Sequence, residues 1–289
     1  MIKYSRLGSN IEFMKTLLVL TDFSEAATHA AKYAAILAKQ LKAARILLFN
    51  KLQSITSIPS SPLVVNKSHE AKEEALTHLK RLANELKFLK HTDTELIYLA
   101  KAGNLDDLTN DLVNKHQVDY VVMGLTGKSK LEQTLIGSNT IQIAKTVSRP
   151  LLIIPESAKL LPITKIASVM DLVDTKQAQT ISNLLNPLYL YNQLELYVLS
   201  HEGEGLPLQT LHNHNFTAVK DKLNRYNPKY YSISEIDIVK EVLAFAKSHN
   251  ISLIVHIEKK RNFFESLFLT DITERMAYVT HIPLLLVKQ

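Results

Sequence analysis

Asp119-Tyr-Val-Val-Met-Gly124-Leu-Thr-Gly127-Lys-Ser-Lys130-Leu-Glu-Gln-Thr-Leu-Ile-Gly137-Ser138-Asn-Thr140, followed by the apolar run Leu151-Leu-Ile-Ile154, is the stretch on which the fold turns. Val118 to Met123 read as a short apolar strand; three glycines then punctuate a polar loop, and a helix-like segment begins at Ser138, Asn139 and Thr140. A strand, a glycine loop and a helix start, in that order, make a place for an anion. Glycine lets backbone N–H groups approach without a side chain in the way, and the first turn of a helix offers unpaired donors at the positive end of its dipole. Phosphate is the natural guest. Of the seven glycines in the chain, three fall within these fourteen positions, so backbone freedom is concentrated here.

The spacing Gly124-x2-Gly127-x9-Gly137-Ser138 resembles that of the universal stress protein family, whose ATP-binding members carry Gly-x2-Gly-x9-Gly-Ser/Thr. The likeness reaches back to Met14 through the opening Lys15-Thr16-Leu17-Leu18-Val19-Leu20-Thr21-Asp22-Phe23-Ser24. Two matched segments in the right order are far more specific than one glycine motif. The resemblance implies a HUP/Usp-like fold and ATP as ligand, with or without Mg2+. It implies that Asp22, flanked by Thr21 and Phe23, meets the adenine, and that Asn50 and Lys51 at the end of the second strand offer backbone contacts to the base. Met123 and Gly124 fall near the ribose. Thr126, Gly127, Lys128, Ser129, Lys130, Gly137, Ser138, Asn139 and Thr140 then surround the phosphates. The function implied is that of a nucleotide-responsive regulatory protein of the stress response; a nucleotide-free interaction scaffold and a slow ATPase are the alternatives. No residue stands out as a general base for water, so no catalytic residue is assigned.

Working outward, Lys15 to Thr21 is a leucine-rich strand, and Ala27, Ala30, Ala31, Ala34, Leu37, Ala38 and Leu41 follow at helical spacing. At the join, Asp22 and Glu25 read as a capping-box-like pair. Ile46 to Lys51 is a second strand. A Ser/Pro-rich loop near residues 59–62 precedes a long helix marked by Ala75, Leu76, Leu79, Leu82, Ala83, Leu86 and Leu89. Leu96 to Ala100 is a third strand, and Leu105, Leu108, Leu112 and Val113 mark a third helix. Strands alternating with helices call for a doubly wound α/β fold with a parallel sheet, in which ligands bind outside the carboxyl ends of strands where the winding reverses. Asp22 and the glycine loop share one crevice if strands one and four are neighbours.

Near Pro162 the pattern restarts. Lys165-Ile-Ala-Ser-Val-Met170-Asp171 repeats the first strand and its aspartate; Ala178, Ile181, Leu184, Leu185 and Leu188 repeat the first helix. Leu194 to Leu199, Tyr230 to Ile233, Ile251 to His256 and Leu284 to Val287 supply strands two to five, with Ser234 as a helix cap before Val239, Val242, Leu243 and Ala246. Residues 124–150 align with 257–283 without a gap, and Gly124, Gly127, Gly137 and Ser138 become Ile257, Lys260, Thr270 and Asp271. A carboxylate at roughly 5 Å repels a phosphate by about 3 kcal/mol per unit charge at an effective dielectric near 20. The expected organisation is therefore an N-terminal leader or arm over residues 1–13, an ATP-binding domain over 14–155 and a degenerate domain over 163–289. Leu151-Leu-Ile-Ile154 and Leu284-Leu-Leu-Val287 are apolar final strands that would be hazardous as sheet edges. They are expected to lie adjacent and antiparallel, making an intramolecular pseudo-dimer; homodimerisation of the whole chain is left open.

Composition excludes several other classes. The chain has 289 residues, enough for two domains; 46% are hydrophobic and 21% charged, as in an ordinary globular protein. There is no cysteine, which removes disulfides, thiol catalysis and cysteine-ligated metal. No apolar run approaches the roughly 20 residues of a membrane span, and a cytoplasmic location with no membrane partner is expected. The net charge of +6 is spread along helices and interleaved with glutamate, a solvated pattern rather than a nucleic-acid surface. His201, Glu204, His212 and His214 are metal-capable but sit in an expected loop without a recognised ligand frame. The partners expected are an adenine nucleotide and a protein not identifiable from sequence.

Overall fold

Thr16-Leu-Leu-Val-Leu20 forms strand β1 (Thr16–Leu20), buried at all five positions, because a strand without polar alternation is one covered on both faces. The computed structural model describes residues 15–53, 62–125, 138–189, 194–200, 214–233, 238–258 and 281–288. After β1 come α1 (Glu25–Leu41), β2 (Arg45–Leu52), α2 (Pro62–Leu86), β3 (Glu95–Ala102), α3 (Leu105–His116), β4 (Tyr120–Leu125), α4 (Ser138–Thr146) and β5 (Leu151–Pro155). The second half runs β6 (Lys165–Val169), α5 (Thr175–Tyr189), β7 (Glu195–Ser200), α6 (His214–Leu223), β8 (Lys229–Ser232), α7 (Ile238–Ser248), β9 (Leu253–Glu258) and β10 (Leu284–Lys288).

Among the described residues ten strands join one sheet in the order β3-β2-β1-β4-β5-β10-β9-β6-β7-β8. Every pairing is parallel except the central one, where β5 meets β10 antiparallel with Leu152 opposite Leu285. The two apolar final strands are therefore neighbours, as their lack of charge required, and the chain is its own pseudo-dimer. The repeat holds in the register as well. Leu17 stands opposite Tyr120 between β1 and β4, and Ile166 opposite Leu253 between β6 and β9; Val121 meets Leu151, and Ile254 meets Leu284.

One apolar layer, with the buried face of α1 and with α2, α5 and α6, covers one side of the sheet; a second, with α3, α4 and α7, covers the other. Both layers include residues of both halves. The segment joining the halves is held by α1: the Gln40 amide donates to Ile163 O (2.6 Å) and accepts from Ile163 N–H (2.9 Å), while His29 Nε2 lies 2.7 Å from Ala158 O. Helix α2 begins at Pro62, a residue suited to the first helical turn, thirteen positions before the apolar periodicity starts. Helix α6 was not expected; Phe216, Val219 and Leu223, all buried, are its signal at helical spacing. Among the described residues no helix is long and apolar enough to cross a membrane.

Candidate functional site

Strands β1 and β4 are neighbours, and between them the winding reverses: from β1 the chain passes outward to β2 and β3, and from β4 to β5 in the opposite direction. Their carboxyl ends therefore flank the crevice in which open α/β sheets hold ligands. Asp119 fixes this adjacency from the other end. Its Oδ1 lies 2.8 Å from Lys15 Nζ, and its Oδ2 accepts from Thr16 N–H at 2.8 Å, clamping the start of β1 to the start of β4.

At the carboxyl end of β1 the chain makes a tight turn. Thr21 N–H continues the ladder to Phe49 O (2.9 Å), and Thr21 Oγ1 accepts from Phe23 N–H (3.0 Å). Asn50 is buried and donates its amide to Thr21 O (2.8 Å), so its side chain ties the ends of β1 and β2 together; Lys51, next along β2, is exposed. Asp22 is exposed, and its Oδ1 accepts from Ser24 N–H (3.0 Å). The helix cap is Ser24, whose Oγ accepts from Ala27 N–H (3.2 Å). This corrects the expected pairing of Asp22 with Glu25: Asp22 shapes the turn before the helix, because its side chain reaches a donor two residues on and goes no further. Its carboxylate thereby stays at the surface beside the crevice.

Phe23 has a left-handed backbone, φ 67°, uncommon for a residue with a large side chain. Its ring meets His78 of α2 edge-on with centroids 5.2 Å apart, a contact that helps hold the turn.

Gly124 is needed for packing. A Cβ built there would lie 2.4 Å from Ala26 O and 2.8 Å from Ala27 N, so β4 carries a glycine to admit the first turn of α1. Met123 is buried in the layer under α3 and α4. Thr126, Gly127, Lys128, Ser129, Lys130 and Gly137 lie outside the described residues. Ser138 opens α4, followed by exposed Asn139 and buried Thr140; the N–H groups of a first helical turn lack intrahelical acceptors. Thus Thr21, Asp22, Phe23, Asn50, Met123 and Gly124 converge on the carboxyl ends of adjacent strands.

The second half repeats the turn. Asp171 Oδ1 accepts from Val173 N–H (2.8 Å), as Asp22 Oδ1 does from Ser24, and Met170 N–H donates to Leu199 O (3.0 Å). It lacks the glycine: Ile257 stands in the place of Gly124 and is buried in the core. Residues 259–280, Lys260, Thr270 and Asp271 among them, fall outside the described residues, as do Ser234 and residues 201–213 with His201, Glu204 and His212. His214 is the first residue of α6 rather than part of a loop. Among the described residues no three His, Cys, Asp or Glu side chains group as a metal site.

The model of the Universal stress protein family matches residues 14–155. A universal stress protein of Methanocaldococcus jannaschii is 28% identical over 158 residues, covering 53% of this chain and 88% of that relative. A second from the same organism is 28% identical over 156 residues, covering 48% and 94%. Over the whole chain, the crystal structure of a universal stress protein from Archaeoglobus fulgidus superimposes with a TM-score of 0.70 at 16% identity, covering 96% of this chain and 99% of that one; this is a likeness of fold.

Proposed function

Because this chain, through residues 14–155, belongs to the universal stress protein family, we propose that its first half binds ATP, with or without Mg2+, and acts as a nucleotide-responsive regulatory protein. The observation that carries the reading is the adjacency of β1 and β4 at the point where the winding reverses. It sets the Asp22 turn and the start of the glycine segment side by side, with α4 beginning at Ser138 just after that segment. In this reading Asp22 and the backbone near Asn50 and Lys51 meet the adenine. Gly127, Gly137, Ser138 and neighbouring backbone N–H groups cradle the phosphates, and Thr126, Lys128, Ser129, Lys130, Asn139 and Thr140 line the approach. Each charge-assisted hydrogen bond contributes roughly 1.5–3 kcal/mol, so several support micromolar affinity after association costs.

The second half serves as structural partner, since Ile257 replaces the glycine at the matching position. A phosphate cradle holds its ligand without activating water, so turnover is expected to be slow or absent.

Calorimetric titration of the full chain with ATP tests this. One site per chain is expected, and Gly127→Val should abolish it because a side chain intrudes where backbone meets phosphate. Two equivalent sites, or normal binding by Gly127→Val, would refute the reading. Phosphate release at several per second that disappears on mutating Ser138 would make the protein an enzyme instead.

A further inference from the structure

Among the described residues the sheet ends on β3 at one side and on β8 at the other, and the two edges are built differently. Strand β8 has four residues, and its Lys229 is held by Glu195 at 2.8 Å. Strand β3 has eight, with Leu96, Ile97, Tyr98 and Leu99 in succession and none of them fully buried. Tyr98 is 39% exposed, and Phe88, in the turn that leads from α2 into β3, is 91% exposed. A long apolar edge of this kind is a template for another strand.

The phase of β3 is set by Glu95, whose N–H donates to Ala44 O (2.8 Å) on the β2 side. By alternation, residues 95, 97, 99 and 101 turn their backbone groups toward β2, and Leu96, Tyr98 and Ala100 turn theirs outward. The sequence of the strand complements itself about Tyr98. Laid antiparallel on a second copy, each Glu95 falls opposite a Lys101, each Leu96 opposite an Ala100, each Ile97 opposite a Leu99, and Tyr98 opposite Tyr98. In that register the outward-facing residues become the hydrogen-bonded pairs, allowing about six interchain backbone bonds. Two Glu–Lys pairs then lie on the α3 side, where Lys101 already contacts Asp111 at 3.3 Å. No other whole-residue register sets both charged residues against opposite charges.

We propose that β3 is a homodimerisation edge, through which two chains pair antiparallel about Tyr98 on a two-fold axis and continue the sheet from one molecule into the next. Such a pairing is closed: it uses both β3 edges and leaves the short β8 strands outermost.

Sedimentation equilibrium of the full chain from ~1 to ~200 µM reads the association over the range of weak to moderate affinities. A reversible monomer–dimer equilibrium is expected. Tyr98→Pro removes an outward N–H that β2 does not use and should weaken association about tenfold or more. Lys101→Glu should weaken it as well, by setting like charges opposite each other, and the double variant E95K/K101E should restore it to within about threefold of the parent. Circular dichroism checks that each variant is folded; if Tyr98→Pro is not, the charge variants decide. A full chain that stays monomeric throughout would overturn the proposal. So would a dimer that Tyr98→Pro and Lys101→Glu leave equally tight, or a loss in Lys101→Glu that the charge swap does not repair.

Discussion

Gly124 carries two readings, and the residues around it separate them. Its place in the glycine pattern points to the ribose, while the 2.4 Å that would separate a Cβ at this position from Ala26 O shows that α1 needs the glycine whether or not a ligand is bound. Gly124→Ala should therefore lower the stability of the ligand-free protein by about 2–3 kcal/mol, a usual cost of overpacking. Urea unfolding without nucleotide measures this, and an unchanged midpoint would show that α1 shifts at no cost. The matching position in the second half is Ile257, and there α5 does not approach β9 as closely as α1 approaches β4. The clamp at the opposite end of the strands is kept by different chemistry. Where Asp119 accepts from Thr16, Ser252 Oγ accepts from Thr164 N–H (3.0 Å) and Lys165 N–H (2.9 Å). His256, in β9 between Val169 of β6 and Leu286 of β10, is buried, and burial pushes its pKa down to about 3. Its folded pKa lies below the unfolded value near 6.5, so the unfolded chain binds the extra proton. Stability is full above about pH 6.5 and falls as the pH drops toward 3, by about 3 kcal/mol between pH 7 and 4 from this group. Denaturant titrations across that range should show a shallower acid loss in His256→Phe than in the parent; identical slopes would reject the assignment.

At the level of elements, apolar spacing located most helices and strands but not their ends. The third strand extends from Glu95 to Ala102, one residue earlier and two later than its apolar core, since pairing with β2 continues through residues whose side chains are exposed. Helix α2 extends toward Pro62 through a segment without a clear apolar stripe, and α6 was hidden by a short, mixed sequence in which only three apolar positions mark the buried face. The Asp22 turn was legible as a helix start, yet the cap proved to be Ser24 because local geometry assigns each side chain to one donor. The link between halves is held by two side chains of α1, His29 at Ala158 and Gln40 at Ile163. Gln40 meets both backbone groups of Ile163, and replacing it with leucine would leave a buried N–H and C=O without that partner. Gln40→Leu should cost about 3 kcal/mol and accelerate amide exchange at Ile163. Unchanged exchange there would mean that the linker is held by other contacts.

Across the whole molecule, the β5–β10 seam turns two repeats into one sheet, and both apolar layers run through it. Residues 14–155 produced alone would expose β5, whose five residues are all buried in the full chain. That fragment carrying Tyr98→Pro, so that the β3 edge is blocked, should still self-associate in sedimentation experiments at concentrations where the full-length Tyr98→Pro variant is monomeric; a monomeric, soluble fragment would show that β5 does not need β10. The sequence by itself determined the α/β alternation, the restart after Pro162, the glycine spacing of the first half and its loss in the second, and the demand that the two final strands be covered. Those features reside in residue order and periodicity, which act over a turn of helix or a few residues of strand. Only the tertiary structure decided that Gly124 makes room for Ala26, that Gln40 grips Ile163, that Asp119 and Ser252 do one job with different side chains, and which backbone groups of β3 face outward. Each of these depends on the distance between segments far apart in the chain, and that distance is set by the packing of the sheet and its helices rather than by local spacing.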